Sequence, residues 1–169
     1  MFGSVSTSMA QTDTKAIVEQ TTQLIKAKGA DFEKQVKDLY KANKKNPEAL
    51  LAIGRTLYNN KEYAKANQFA DYALQKNSKY AGAFLLKGDI CVSNDDAGGA
   101  SQNYQQAIYF APKNPEGYYK YAMILRGRNP EDAVATLEDL RKQVPDYPVD
   151  ALAARIYYHT KNPNLNRAA

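Results

Sequence analysis

Apolar residues recur at helical spacing along this chain, at i, i+3, i+4 and i+7, and the pattern breaks and restarts at a fixed interval. Leu50, Gly54, Leu57, Ala66, Ala73 and Ser78 are matched 34 residues later by Phe84, Gly88, Cys91, Ala100, Ala107 and Pro112. A third copy starts at Pro115 with Tyr118, Ala122 and Leu125. After the loss of one residue it continues with Ala133, Leu137, Leu140 and Pro145. Lys61-Glu62-Tyr63, Asp95-Asp96 and Asn129-Pro130 interrupt the copies near their middles, so each copy reads as two helices joined by a turn. Small residues on the second helix (Ala66, Ala73 and their equivalents) let the pair approach closely, with Phe84, Tyr104, Tyr118 and Leu137 filling the space beside them. A period of this length predicts one supersecondary unit stacked on itself.

The helix starts support this division. Asn-Pro-Glu occurs at 46–48, 114–116 and 129–131, and Asn162-Pro163 follows Asn129-Pro130 by 33 residues. Asparagine accepts an unpaired backbone N–H at a helix start, and proline at the first helical position loses no hydrogen bond. Glutamate in the first turn meets the positive end of the helix dipole.

Both ends depart from the pattern. Residues 14–46 predict two helices, Ile17, Val18, Leu24 and Ile25 on one and Phe32, Val36, Leu39 and Tyr40 on the other, broken at Gly29. They lack the repeat's Gly and Ala positions and are expected to form a degenerate N-terminal hairpin that caps the stack. Residues 148–169 predict the first helix of a truncated fourth repeat, carrying Ala151, Leu152, Ala154, Ile156 and Tyr157. With no second helix to cover it, this helix is expected to expose Leu152, Ile156 and Tyr157, either to a continuing array or to a second copy of the chain. Residues 1–13 are small and mildly apolar, and Ser8 and Ala10 precede Gln11 as the small residues of a signal-peptidase site do. They read as a disordered tail or a signal-peptide remnant, which points to an exported protein of the periplasm or cell envelope, with a cytoplasmic one as the alternative.

Taken together, these residues resemble the tetratricopeptide repeat. Repeat one (47–80) carries Leu50, Ile53, Gly54, Leu57, Ala66 and Ala73, but has Ala70 where an aromatic residue is usual and Ser78 where proline is. Repeat two (81–114) carries Phe84, Gly88, Ala100, Tyr104, Ala107 and Pro112, with Lys87 at a normally apolar place. Repeat three (115–147) keeps Tyr118, Tyr121, Ala122, Leu125, Ala133 and Pro145. The resemblance implies an all-α fold, a right-handed superhelical solenoid of antiparallel helix pairs, and a role in holding another protein. It also implies that the first helix of each pair lines a concave surface. On repeat one that surface would hold Leu51, Ala52, Arg55, Tyr58 and Asn59; on repeat two, Leu85, Leu86, Asp89, Val92 and Ser93. Tyr119, Lys120, Met123 and Arg126 would continue it, followed by Val149, Leu152, Ala153 and Ile156. Arg55, Tyr58, Asn59, Leu85, Asp89, Tyr119, Lys120, Met123 and Arg126 are the expected peptide-binding residues. The carboxylate-gripping residues of the chaperone-binding members do not carry over, because Leu51 and Arg55 stand at their places.

Composition narrows the alternatives. The chain has 169 residues, 44% of them hydrophobic, which is enough to bury a continuous core. A single Cys91 permits no internal disulfide, and its place in the repeat predicts a buried packing role. Of the net charge of +5, residues 26–45 supply +4, with seven lysines against Asp31, Glu33 and Asp38. That run reads as a solvated helix face. As a nucleic-acid site it would rely on Lys41, Lys44 and Lys45, with few aromatics to stack bases. His159 is the only histidine, and Asp95-Asp96 lacks the alternating ligands of a calcium loop. Neither catalysis, a metal, a cofactor nor a membrane span is expected. The leading expectation is a protein-binding scaffold. A structural spacer or self-associating segment is the second, and an RNA-binding helical repeat the third.

Overall fold

A computed structural model describes the backbone of residues 5–161 and the side chains of residues 14–151, 153–156 and 158. The described residues form nine helices and no strand: α1 (Val5–Lys26), α2 (Phe32–Asn43), α3 (Pro47–Asn59), α4 (Tyr63–Lys76), α5 (Ala81–Ser93), α6 (Ala97–Phe110), α7 (Pro115–Leu125), α8 (Pro130–Gln143) and α9 (Val149–Lys161). Two compact units divide the chain, Met1–Ile90 and Cys91–Ala169. The helix α1 already runs from Val5, so residues 5–13, expected as a tail or signal remnant, are helical backbone continuous with the first predicted helix.

In unit 1, α3 and α4 form the tightest pair, and α1 lies along α3. Leu50, Ile53 and Leu57 of α3 meet Ala66, Phe69, Ala70 and Ala73 of α4, all fully buried or nearly so. The aromatic missing at Ala70 is supplied one residue earlier by Phe69. Ala83, Leu86 and Ile90 of α5 join the same core, with Phe32, Val36 and Leu39 of α2. Leu86 takes the filling role expected of Phe84, which is only half-buried.

Lys61 closes the α3–α4 turn with φ 63, and Asp95, 34 residues later, closes the α5–α6 turn with φ 59. Their hydrogen bonds are the same. Glu62 N–H donates to Leu57 O at 2.9 Å and Lys61 N–H to Tyr58 O at 2.9 Å; Asp96 N–H donates to Cys91 O at 2.8 Å and Asp95 N–H to Val92 O at 3.1 Å. A helix C-terminus satisfies its last carbonyls this way when one residue turns left-handed, a place usually held by glycine.

In unit 2, α7 packs between α6 and α8, and α9 packs on α8. Tyr118 and Ala122 of α7, Ala133, Leu137 and Leu140 of α8, and Val149 and Ile156 of α9 form its core. Tyr104 is also buried. The predicted caps are present. Asn46 Oδ1 accepts from the backbone of Glu48 and Ala49, both at 3.1 Å. Asn114 caps α7 through Glu116 N–H at 3.0 Å, and Asn129 caps α8 through Asp132 N–H at 3.2 Å. Each is followed by proline at the helix start.

The α9 register corrects the fourth repeat. Val149, Ala153 and Ile156, expected on the binding surface, turn into the core of unit 2. The spacing i, i+4, i+7 puts them on one helical face, two residues ahead of the register counted from Pro148. Ile156, expected to be exposed for self-association, is 1% exposed. The side chains of Leu152, Tyr157 and His159, and the Asn162-Pro163 turn, lie outside the described residues.

Candidate functional site

In unit 1, helical spacing puts Glu48, Leu51, Ala52, Arg55, Tyr58 and Asn59 along one side of α3. Leu51 and Ala52 are buried. Leu51 closes against α5 at Gly82, where a Cβ would lie 2.7 Å from Leu51 Cδ2 and 3.8 Å from Arg55 Nη2. A methyl group there would require the end of the Leu51 side chain to shift. Arg55 and Asn59 are exposed, and Arg55 pairs with no carboxylate among the described residues. Tyr80 sits beside this patch. Burial raises its hydroxyl pKa above 10.0, the charge of Glu48 raises it further, and the guanidinium of Arg55 opposes both. Tyr58 is half-buried against Tyr63, ring centroids 5.5 Å apart. Asp89 is half-buried on α5, whereas Leu85, expected to line the surface, is 1% exposed and offers nothing to a ligand. The reason is that α5 opens Ala-Gly-Ala-Phe-Leu-Leu, with apolar residues on more than one face, so periodicity alone does not mark its exposed side.

In unit 2, Glu116, Tyr119, Lys120, Met123 and Arg126 share one side of α7. Tyr119 is 38% exposed. Lys120 Nζ lies 3.7 Å from Glu116 Oε1, and Arg126 Nη1 donates to Met123 Sδ at 3.9 Å. The polarisable sulfur gives the guanidinium a soft contact.

No protein-family model matches the chain, and no curated protein matches it. Solved structures do. The tetratricopeptide-repeat domain of Arabidopsis OM64 superposes with a TM-score of 0.59 at 19% identity, over 69% of this chain and 98% of that one. A thermophilic repeat protein of Thermus thermophilus gives 0.61 at 15% identity, over 87% of this chain and 82% of its own. YrrB, described as a repeat protein with an unusual peptide-binding site, gives 0.55 at 18% identity, over 73% of this chain and 64% of YrrB. The fold is that of the tetratricopeptide repeat. At these identities the likeness establishes the architecture, and the surfaces of this chain are its own.

The first helices of the repeats carry the residues expected from sequence, but the second helices carry features that were not expected. Between α2 and α4 of unit 1 a cleft of about 390 Å³ is lined by Tyr40 and Tyr72, which stack at 4.1 Å. Phe32 at the start of α2 lies beneath Lys28 and Lys65, at 4.9 and 5.5 Å from the ring centroid. Lys28 pairs with Glu62, tying the α1–α2 turn to the start of α4, and Lys65 of α4 pairs with Glu33 of α2. Lys41 pairs with Asp38 at 3.3 Å.

In unit 2 a second cleft, of about 270 Å³, opens where α6, α7 and α8 meet, with Tyr109, Tyr118, Tyr121 and Asp139 on its walls. The only hint of it in the sequence is the high tyrosine count. Cys91 is half-buried rather than buried, and Asn103 Nδ2 donates to its sulfur at 3.9 Å. Among the described residues no cluster of three or more His, Cys, Asp or Glu is placed to hold a metal, and no helix is long and apolar enough to cross a membrane.

Proposed function

We propose that this chain is a non-catalytic scaffold that holds a segment of another protein against the first-helix faces of its repeats. Arg55 with Asn59 and Tyr58 would act in unit 1, and Tyr119, Lys120, Met123 and Arg126 in unit 2. One observation carries the reading. Among the described residues Arg55 has no acidic partner, and it stands exposed beside a buried apolar floor of Leu51 and Ala52 and the hydroxyl of Tyr80. Arginine and tyrosine over a desolvated floor is the composition of an interface anchor. The α7 face has a similar composition, with Arg126 against Met123 and an exposed Tyr119 two turns earlier on the same side. The peptide-binding site described for YrrB, a protein of the same fold, supports a peptide as the ligand class.

Lys28 and Lys41 of the 26–45 run have carboxylate partners, which weighs against a nucleic-acid reading of that run. Export belongs to this proposal and is supported by Ser8 and Ala10 ahead of Gln11. Cell fractionation tests it.

The binding reading is tested by photo-crosslinking from position 59 and position 119 in the native host, followed by identification of the captured segment. The purified segment should bind the wild-type chain. Arg55→Lys, tested on a segment captured at position 59, and Arg126→Lys, tested on one captured at position 119, keep the charge but lose the planar fork, and each should weaken binding about tenfold, equivalent to about 1.4 kcal/mol. If both variants bind their segments as the wild type does, the first-helix faces are not the site.

A further inference from the structure

The cleft of about 270 Å³ in unit 2 lies on the second-helix side of the repeats, away from the residues invoked above. Its walls come from three helices: Gln105, Ile108 and Tyr109 from α6, Tyr118 and Tyr121 from α7, Thr136 and Asp139 from α8. Three aromatic rings and one carboxylate line a space large enough for one long side chain, and no lysine or arginine is among the lining residues.

The rings are held in place. Tyr118 is 5% exposed, and its hydroxyl donates to Pro112 O at 3.0 Å. The Tyr121 hydroxyl accepts a hydrogen bond from Gln105 Nε2, which ties α6 to α7 across the cleft. Tyr109 is 76% exposed at the rim, with its ring against the edge of Phe110 at 5.1 Å. An aromatic side chain left so exposed beside a cleft is a ready contact surface.

Asp139 supplies the charge. Its negative field reaches Tyr118 and helps to raise that hydroxyl's pKa, after the larger effect of burial. Its one described ion pair is with Lys142, at 2.8 Å between side chains that are 62% and 74% exposed. An exposed pair one turn apart on a helix contributes only about 0.2–1 kcal/mol, so an incoming cation can displace it. Aromatic faces around a carboxylate attract a cation by both ring quadrupole and charge.

We propose that this cleft is a second docking site, one that takes a cationic side chain, arginine above all, from a partner protein. The guanidinium would stack on the tyrosine faces and pair with Asp139. Arginine fits better than lysine because its planar head stacks on rings and loses less hydration on entering. Charge complementarity sets the choice of occupant. A neutral side chain would gain nothing from Asp139, and an acidic one would be repelled by it.

The probe is acetyl-Ala-Arg-Ala-amide, titrated into the full isotope-labelled chain and followed by amide chemical shifts. Saturable shifts are expected at residues 105–109, 118–121 and 136–139, with a dissociation constant of about millimolar, as one side chain can supply. The citrulline peptide, equal in shape and neutral, should bind at least about tenfold more weakly. Asp139→Asn should reduce arginine-peptide affinity about tenfold, and Tyr109→Ala should reduce it about threefold to tenfold. Lys142→Ala removes the competing cation and should leave affinity equal or higher, which separates a role of Asp139 in binding from loss of its own ion pair. Unchanged far-UV circular dichroism shows that each variant is folded. Equal binding of the citrulline and arginine peptides, an unchanged affinity for Asp139→Asn, or no saturable shift at these residues up to about 10 mM overturns the proposal.

Discussion

Replacing Gly54 by alanine adds one methyl group where α3 comes nearest to α4 and α5. A Cβ there would lie 2.9 Å from Leu86 Cδ2, 3.3 Å from Phe69 Cβ and 3.4 Å from Ala66 O. Two of these atoms are backbone or next to it, and Leu86 and Phe69 are 2% and 1% exposed, so neither has room to retreat. Alanine improves helix propensity by about 1 kcal/mol, whereas overpacking a filled core costs about 1–3 kcal/mol. The balance is a loss of about 1 kcal/mol.

Gly98 provides the opposite case. It lies in the first turn of α6, and the nearest atom to its Cβ position is Asp96 Oδ1 at 3.6 Å. Alanine there keeps the helical gain without the collision and should stabilise by about 0.5–1 kcal/mol. Urea unfolding followed by circular dichroism measures both. Hydrogen exchange in α3 and in α6 then assigns each change to its unit, since two units need not melt together. A double-mutant cycle isolates the cause. Leu86→Ala alone should cost about 2–5 kcal/mol, and about 1 kcal/mol less when alanine already occupies position 54. If Gly54→Ala stabilises as much as Gly98→Ala does, the close approach inferred for repeat one is wrong.

Two further outcomes follow from local geometry. Lys61 holds φ 63 without glycine's freedom, so Lys61→Gly should raise unit 1 stability by up to about 1 kcal/mol in urea melts, and a loss would count against the left-handed turn. Tyr80 carries a raised hydroxyl pKa in the folded chain, so its contribution is intact below the unfolded value near pH 10 and is lost as pH rises through the folded one. The fall in urea midpoint between about pH 8 and about pH 11 should therefore be steeper in the wild type than in Tyr80→Phe.

The repeat was legible because its spacing rests on residues whose size matters more than their polarity. Ala66, Ala73, Ala100 and Ala107 are buried at the places where two helices touch, and bulk is excluded there whatever the surrounding sequence. The caps at Asn46, Asn114 and Asn129 were legible for a similar reason, since side chain and backbone lie within three residues of each other. The left-handed turns were not, because lysine and aspartate hold places where glycine would have been the signal. The fourth repeat slipped by two residues because the turn after α8 is irregular and Pro148 was the nearest punctuation.

The candidate surfaces divide along the same line. The exposure of Arg55 and Asn59 agrees with their place off the core stripe of Leu50, Ile53, Gly54 and Leu57, although Leu51 and Ala52 on the same side are buried. Leu85 failed that test because α5 has no polar stripe from which to read a side. The tyrosine cleft leaves no trace in the periodicity of any one helix. It exists where α6, α7 and α8 leave a gap between them, and no single helix encodes a gap. Tyr118 and Tyr109 illustrate the limit: one is 5% exposed and the other 76%, yet they line the same cleft. Periodicity sorts residues by the face of their own helix, whereas a binding cleft is set by the distance between neighbouring helices. That distance depends on side-chain volumes drawn from three separate segments, so it becomes visible only once they are packed.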